Sequence, residues 1–340
     1  MVVTAIGLGL AIGTVLKLVA PSLQQTERQQ QPGEPREDTS PRLLRGIGSF
    51  QPRQELTALS ERFASLTATQ PDLRAGAYMV VLDDGSFAQL NPTVPYAAAS
   101  SIKLPILLLL LQDVGDGRID WNQRVIMRAE LIGGGAGWMQ GQPAGSSFPL
   151  YEVARDMIRV SDNTATNMIV DLLGGKEAVN RRWQDLGLTS TVLNNWLPDL
   201  GGTNTSSAED LCRSLALAEL GEQLDLRNRD RFREIMASSR TDSLLPAGFL
   251  TGLGGARGRV DEALREFGSQ VLNKTGDIGT AYVDAAQIEL PDGRRALAAF
   301  MVVGSEQTEY NSPRSRQLIR DLATATAQAL LPLDSTDITP

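Results

Sequence analysis

Residues 97–111 read AAASSIKLPILLLLL. Leu104 and the run Ile106–Leu111 are apolar on every side of a helical projection, which predicts a helix over Ser100–Gln112 that is buried rather than laid on a surface. Its opening, Ser100-Ser101-Ile102-Lys103, puts Ser100 and Lys103 three residues apart and so on one face, within hydrogen-bond reach, while Ser101 points elsewhere. A serine hydroxyl is a poor nucleophile until a neighbour takes its proton. A lysine on a buried helix can do so, because desolvation disfavours its charged form. A serine at a helix N-terminus also meets unpaired N–H groups that favour a developing negative charge. Taken alone, the pair reads equally well as an N-capping serine beside an incidental lysine.

Outward from this helix, Ala77–Leu82 and Phe87–Leu90 read as two strands around the hairpin signal Asp83-Asp84-Gly85. Before them, Leu56, Leu59, Phe63 and Leu66 form a helical stripe ended by Gln70-Pro71. Residues from about 119 to 266 read as helices and loops without convincing alternation. Two period-two runs follow, Tyr282–Leu290 and Ala296–Val303, joined by Pro291-Asp292-Gly293. A last amphipathic helix carries Leu318, Leu322, Ala325 and Ala329, with Pro313 in its first turn. Strands at both ends with a helical block between them predict an α+β fold in which the terminal segments share one antiparallel sheet.

Composition narrows the chemistry. The chain has 340 residues, a net charge of −8 and no histidine, which excludes Ser-His-Asp and Cys-His mechanisms and histidine metal sites. The acidic balance argues against an electrostatic nucleic-acid partner. Cys212 stands alone, so no internal disulfide, CxxC pair or cysteine zinc cluster can form. Lysine is scarce, at Lys17, Lys103, Lys176 and Lys274 only, against an arginine-dominated remainder. Lysine can lose its proton when desolvated and arginine cannot, and two of the four sit in short motifs. Beyond Ser100–Lys103 these motifs are Ser161-Asp162-Asn163, at the junction of two helical stretches, and Lys274-Thr275-Gly276, where strand character begins. Each alone has a plain reading, the first as a helix N-cap and the second as a strand edge with a bulge glycine.

Together, S-x-x-K, S-D-N and K-T-G in this order resemble the signature of class A β-lactamases and penicillin-binding proteins. The flanks SDNTATNMIVDLLGGKEAV and KTGDIGTAYVDAAQIELPDGRRALAAFMVVG look like that family too, over about residues 55–332. The resemblance implies a β-lactamase/D,D-peptidase-like fold: a five-stranded antiparallel sheet from both chain ends with an inserted all-helical subdomain at about 100–266. It implies Ser100 as the nucleophile acylated by a D-alanyl-D-alanine stem peptide or a β-lactam, and Lys103 as its general base. By the same resemblance Ser161 would relay a proton to the departing nitrogen, Asn163 would bind the substrate amide, and Lys274 with Thr275 of the Lys274-Thr275-Gly276 motif would hold the substrate carboxylate. The resemblance further implies that the backbone N–H groups of Ser100 and Asp277 form the oxyanion hole, with Asp162 expected to fix the helix junction. No cofactor or metal is implied, and the chain is expected to be monomeric.

The pattern departs from the lactamases at one loop. Asn195-Trp196-Leu197-Pro198-Asp199-Leu200 keeps the tryptophan and proline, but Leu197 stands where class A enzymes carry the glutamate that activates the deacylating water, and Gly201 where an asparagine usually follows. Leucine cannot take a proton from water, so a penicilloyl-enzyme is expected to persist. In this the chain resembles the cyanobacterial penicillin-binding protein A group of D,D-peptidases. Asp199, two residues on, is the alternative base that would restore a β-lactamase. A third reading, a non-catalytic penicillin sensor, calls for a second domain beyond a membrane segment, and only a few residues precede the apolar run here.

That run, within residues 1–23, predicts an export signal or signal-anchor that associates residues 2–20 with a membrane and places the protein in the periplasm. Residues 24–54 are rich in Gln, Pro, Glu and Arg and predict a disordered tether, and 333–340 form a tail. Gly133-Gly134-Gly135-Ala136-Gly137 and Gly252–Arg259 lack the phosphate-loop pattern and read as mobile loops. Trp138 is a candidate aromatic on the cleft rim opposite the Lys274 strand, and Cys212 a small buried apolar residue.

Overall fold

The computed structural model describes residues 51–331 apart from Arg257. The apolar run at 2–20, the tether up to residue 50 and the tail at 333–340 lie outside the described residues. Among those described, no helix is long and apolar enough to cross a membrane.

In chain order the strands are β1 (Gln54–Glu55), β2 (Leu73–Val81), β3 (Ser86–Leu90), β4 (Tyr96–Ala97), β5 (Arg124–Ile126), β6 (Ser147–Pro149), β7 (Thr205–Ser206), β8 (Gln270–Asp277), β9 (Ala281–Glu289) and β10 (Arg295–Gly304). The main sheet runs β1-β3-β2-β10-β9-β8, so the two chain ends meet at the β2–β10 pair, as the strand pattern requires. Two details differ from expectation. Among the described residues the sheet has six strands rather than five, and the sixth, β1, is parallel to β3 rather than antiparallel. It is two exposed residues long and takes in Gln54, which composition had put in the tether. A pairing made only of backbone hydrogen bonds on an edge leaves no hydrophobic pattern to read. Inside the helical block, β5 pairs with β6 and β4 with β7; at two or three residues each, they are too short for alternation to register.

The sheet separates two cores, and the pleat deals its side chains to them in turn. On β2, Tyr78 and Val80 face one core while Ala77, Met79 and Val81 face the other; on β10, Leu297, Ala299 and Met301 oppose Ala296, Ala298 and Phe300. Covered on both faces, these strands read as near-continuous apolar runs. One cover comprises helices Thr57–Ala68, Leu245–Gly252 and Pro313–Leu330. Along the last, Leu318, Leu322 and Ala325 are buried as predicted, whereas Ala329 is exposed. The other cover is centred on helix Lys103–Gly115, in which every residue from Lys103 to Leu111 is buried. Trp183, fully buried, donates its indole N–H to Pro105 O (3.2 Å) and so ties helix Lys176–Asp185 to it. The block's central helix thus has no polar face to spare, and its N-terminal end is delivered to the edge of the sheet beside β8.

Candidate active site

The central helix begins as a tight 3₁₀ turn, Ala99–Ile102, rather than in α geometry from Ser100 onward. The turn still brings Lys103 Nζ within 3.0 Å of Ser100 Oγ, while Ser101 turns away and donates to Ala98 O (2.7 Å). Ala99 adopts φ 47°, a left-handed conformation that a non-glycine residue rarely takes, and Ser161 does the same at φ 59°. Ala99 directly precedes Ser100 and Ser161 belongs to the cluster itself, an arrangement found where surrounding packing holds reactive groups in place.

Lys103 is fully buried and sits at the centre. Its Nζ donates to Ser161 O (2.7 Å), Ser161 Oγ (2.9 Å) and Asn163 Oδ1 (2.9 Å) besides Ser100 Oγ. Those are four acceptors for an ammonium with three protons. Two of them, a carbonyl and an amide oxygen, can only accept, so the hydroxyls are the partners able to exchange roles when Lys103 is neutral. Burial, then the charge of Lys274, push the Lys103 pKa well down, opposed by Asp162. Lys274, on β8, donates to Ser161 Oγ (3.1 Å) and Thr275 O (2.7 Å). Burial brings its pKa down to about 8, opposed by the carboxylate of Asp284. Ser161 Oγ therefore bridges two lysines of different basicity.

Ser161 and Asn163 are aimed by Asp162. It caps helix Asn163–Leu172 through Ala165 N (2.9 Å) and accepts Trp138 N (2.7 Å) and Met139 N (2.9 Å) on its other oxygen. Trp138 is exposed, with its indole N–H on Asp156 (2.8 Å) and its ring edge against Phe148. The 133–137 loop, read from sequence only as a mobile glycine segment, is part of the site. Asn163 Nδ2, expected to bind a substrate amide, donates here to Gly134 O (2.8 Å). Gly137, at φ 95°, lies so close to Asp162 that a Cβ would stand 2.2 Å from its carboxylate carbon, and one on Gly133 would stand 2.2 Å from Leu197 O, so these two glycines serve close approach.

Gly276 has the same explanation on the opposite wall. A Cβ there would stand 2.8 Å from Ser100 N and 2.9 Å from Ala98 O, so only glycine lets β8 lie against the serine turn. β8 is an edge strand. Because Ile278 N bonds back to Ala281 O (3.2 Å), the alternation of an antiparallel ladder turns the Asp277 N–H toward the open edge. The Asp277 carboxylate accepts Gly279 N (2.7 Å), which leaves the backbone as what this residue offers the cleft.

Leu197 is buried. The amide of Asn167 clamps its backbone, accepting Leu197 N (2.9 Å) and donating to Leu197 O (2.8 Å). Asn167 lies four residues beyond Asn163, on the same helical face, a spacing from which its role could have been read. Asp199 is spent inside its own loop: Oδ1 accepts Thr203 Oγ1 (3.0 Å) and Oδ2 accepts Asn204 N (2.6 Å). Asp284, which the sequence reading passed over, is buried behind Lys274; burial pushes its pKa up to about 7 against hydrogen bonds from Asn273 and Leu245 N. Cys212 is buried as expected, its thiol pushed well up by burial.

A serine, a desolvated lysine and a second hydroxyl between two lysines, beside an edge strand with an outward N–H, define a serine hydrolase of the β-lactamase and penicillin-binding class. The chain belongs to the β-lactamase enzyme family, whose sequence model matches residues 58–330. The solved structure of PBP-A is 40% identical, with a TM-score of 0.75, over 83% of this chain and 99% of that one. A leucine-to-glutamate mutant of PBP-A, solved as its acyl-enzyme complex with penicillin G, matches with the same figures. Among enzymes, the extended-spectrum β-lactamase PER-1 of Pseudomonas aeruginosa is 24% identical over 78% of this chain and 86% of its own length.

Proposed function

We propose that the protein is a penicillin-binding D,D-peptidase, exported to the periplasm, that cleaves D-alanyl-D-alanine stem peptides of peptidoglycan through an acyl-enzyme on Ser100. The observation that carries this reading is the complete Ser100–Lys103–Ser161–Lys274 cluster beside a loop that offers Leu197 where a deacylating base would stand. Neutral Lys103 takes the Ser100 proton as Oγ bonds to the carbonyl carbon. The N–H groups of Ser100 and Asp277 hold the oxyanion. As the C–N bond breaks, the proton passes from Lys103 through Ser161 to the nitrogen, and D-alanine leaves with its carboxylate at Lys274 and Thr275.

Peptide and penicillin then part ways. D-Alanine diffuses off, so water or an acceptor amine enters the vacated place and is deprotonated through the same Ser161–Lys103 route run backward. In a penicilloyl-enzyme the leaving nitrogen stays tethered through the ring and occupies that place. Water must then approach from the Leu197 side, where no base receives its proton. Penicillin therefore inhibits.

β-Lactam hydrolysis is the second reading, favoured by relatives such as PER-1; within this chain it would need a base such as Asp199, whose oxygens are both engaged. The test is intact-protein mass spectrometry with benzylpenicillin over hours, alongside D-alanine release from a stem-peptide mimic. A stable one-to-one adduct lost in Ser100→Ala, together with D-alanine release, is the expected result. Rapid penicillin consumption with a fleeting adduct refutes the peptidase reading in favour of the lactamase.

A further inference from the structure

Lys274 has neighbours on both faces of the sheet, and those on the far face do not meet the cleft. Along β9, Val283 and Ala285 face the core under the helical block, while Tyr282, Ala286 and Ile288 face the other core, so the pleat turns Asp284 away from the cleft. Cross-strand pairing sets Lys274 beside Ala285 on the cleft side and Asn273 beside Ala286 on the far side. Asp284 and Asn273, both buried, meet there. The Asn273 amide donates to Asp284 Oδ1 (2.9 Å) and Oδ2 (3.1 Å) and to Thr241 O (2.7 Å). Leu245 N, in the first turn of helix Leu245–Gly252, donates to Asp284 Oδ2 (2.9 Å), so the carboxylate also lies at the positive end of a helix.

Those donors decide the charge of Asp284. A buried carboxylate stays ionised only where hydrogen bonds or an opposite charge offset its desolvation. Burial pushes the Asp284 pKa up to about 7, and the Asn273 amide opposes it more than Leu245 N or Lys274 does. Burial likewise brings the Lys274 pKa down to about 8, and the Asp284 carboxylate opposes that. Other charged groups stand on the elements packed around the pair. Lys103 and Asp162 lie on the cleft side; Arg316 on the Tyr282 ring and Arg320 at Ser243 O lie on the far side. Asp242, Asp261 and Arg265 line a cavity together with Asn273. The dependence runs from Asn273 to Asp284 to Lys274.

We propose that Asn273 and Asp284 are positioning residues for Lys274: from the face of the sheet opposite the cleft, and without touching substrate, they keep its amine cationic and so fit to hold the substrate carboxylate. The inference rests on the carboxylate-holding role given to Lys274 above, and a penicillin presents that carboxylate as a stem peptide does. Acylation of the full-length protein by benzylpenicillin, and by its methyl ester, is therefore followed against pH by mass spectrometry. For benzylpenicillin the rate is expected to fall on the alkaline side near pH 8; the ester, with no charge to hold, lacks that limb. In Asp284→Asn the loss of the opposite charge moves the limb down by about one pH unit, which cuts the rate at pH 8 about fivefold relative to its plateau. Asn273→Leu moves it the same way, because Asp284 without its amide donor stays protonated while Lys274 titrates. The double variant moves it no further than Asp284→Asn, whereas two independent losses would add. Each midpoint is read within one variant, so a smaller folded fraction does not displace it. A limb unmoved in both single variants, movements that add in the double variant, or a limb that the ester shares overturns the inference. The readout is acylation by penicillin, so failure to release D-alanine counts against the peptidase reading alone.

Discussion

Leu197→Glu tests the distinction on which the functional reading turns. The side chains are similar in length, and the Asn167 clamp holds the backbone rather than the side chain, so the substitution leaves the loop's anchor in place. A carboxylate there gains access to the water that attacks the penicilloyl ester. A positioned general base accelerates such a step by about 10²–10⁴, which corresponds to about 3–5.5 kcal/mol of barrier. Burial opposes part of this. Leu197 is 6% exposed, so the new carboxyl titrates above its usual range and is only partly ionised at neutral pH. The same burial costs stability, about 1–3 kcal/mol, which for a domain of this size lowers Tm by about 2–10 °C. The assay loads the protein with benzylpenicillin, removes the excess and follows the adduct mass over hours. The wild-type adduct persists, and that of Leu197→Glu clears at least about 100-fold faster. Leu197→Gln, equally polar but unable to take a proton, separates base catalysis from a loosened loop. If Glu and Gln variants clear alike, or if Glu clears no faster than wild type while acylating normally, the account of Leu197 is wrong.

Lys103→Arg keeps a basic side chain but cannot give up its proton, so acylation by penicillin falls by about 10²–10⁴, measurable by fluorescent-penicillin labelling of protein that circular dichroism shows to be folded. Acylation also depends on pH in a bell. It falls on the acid side as Lys103, held low by burial, becomes protonated, and on the alkaline side near pH 8 as Lys274 loses the proton that holds the substrate carboxylate. Since the Asp284 carboxylate holds the Lys274 pKa up, Asp284→Asn moves the alkaline limb to lower pH; an unmoved limb means Lys274 does not set it. Asp199→Asn leaves the penicilloyl lifetime unchanged, and a lengthened lifetime in the adduct-decay assay makes Asp199 a deacylating base after all.

Much of the site was legible along the chain because its parts are local. Three residues of one turn set the Ser100–Lys103 contact, and Ser161–Asn163 is a helix junction whose geometry a cap enforces. The scarcity of lysine pointed to Lys103 and Lys274 for a reason of chemistry that holds in any fold. The sheet's central strands were legible for a similar reason, since period-two runs register wherever the core lies. What the sequence could not express were relations between segments. That Gly133–Gly137 lines the site follows from its approach to Asp162 and Asn163, which only packing brings about. The two-residue β1 is held by backbone bonds that carry no side-chain pattern. Asp199 reads as a spare base along the chain, yet the fold turns it into its own loop. The desolvation that lowers the Lys103 pKa is likewise a tertiary property. The apolar run after it predicted a buried helix, but the loss of water around its amine, and the second lysine that lowers its pKa further, arise only when β8 closes against the serine turn at Gly276.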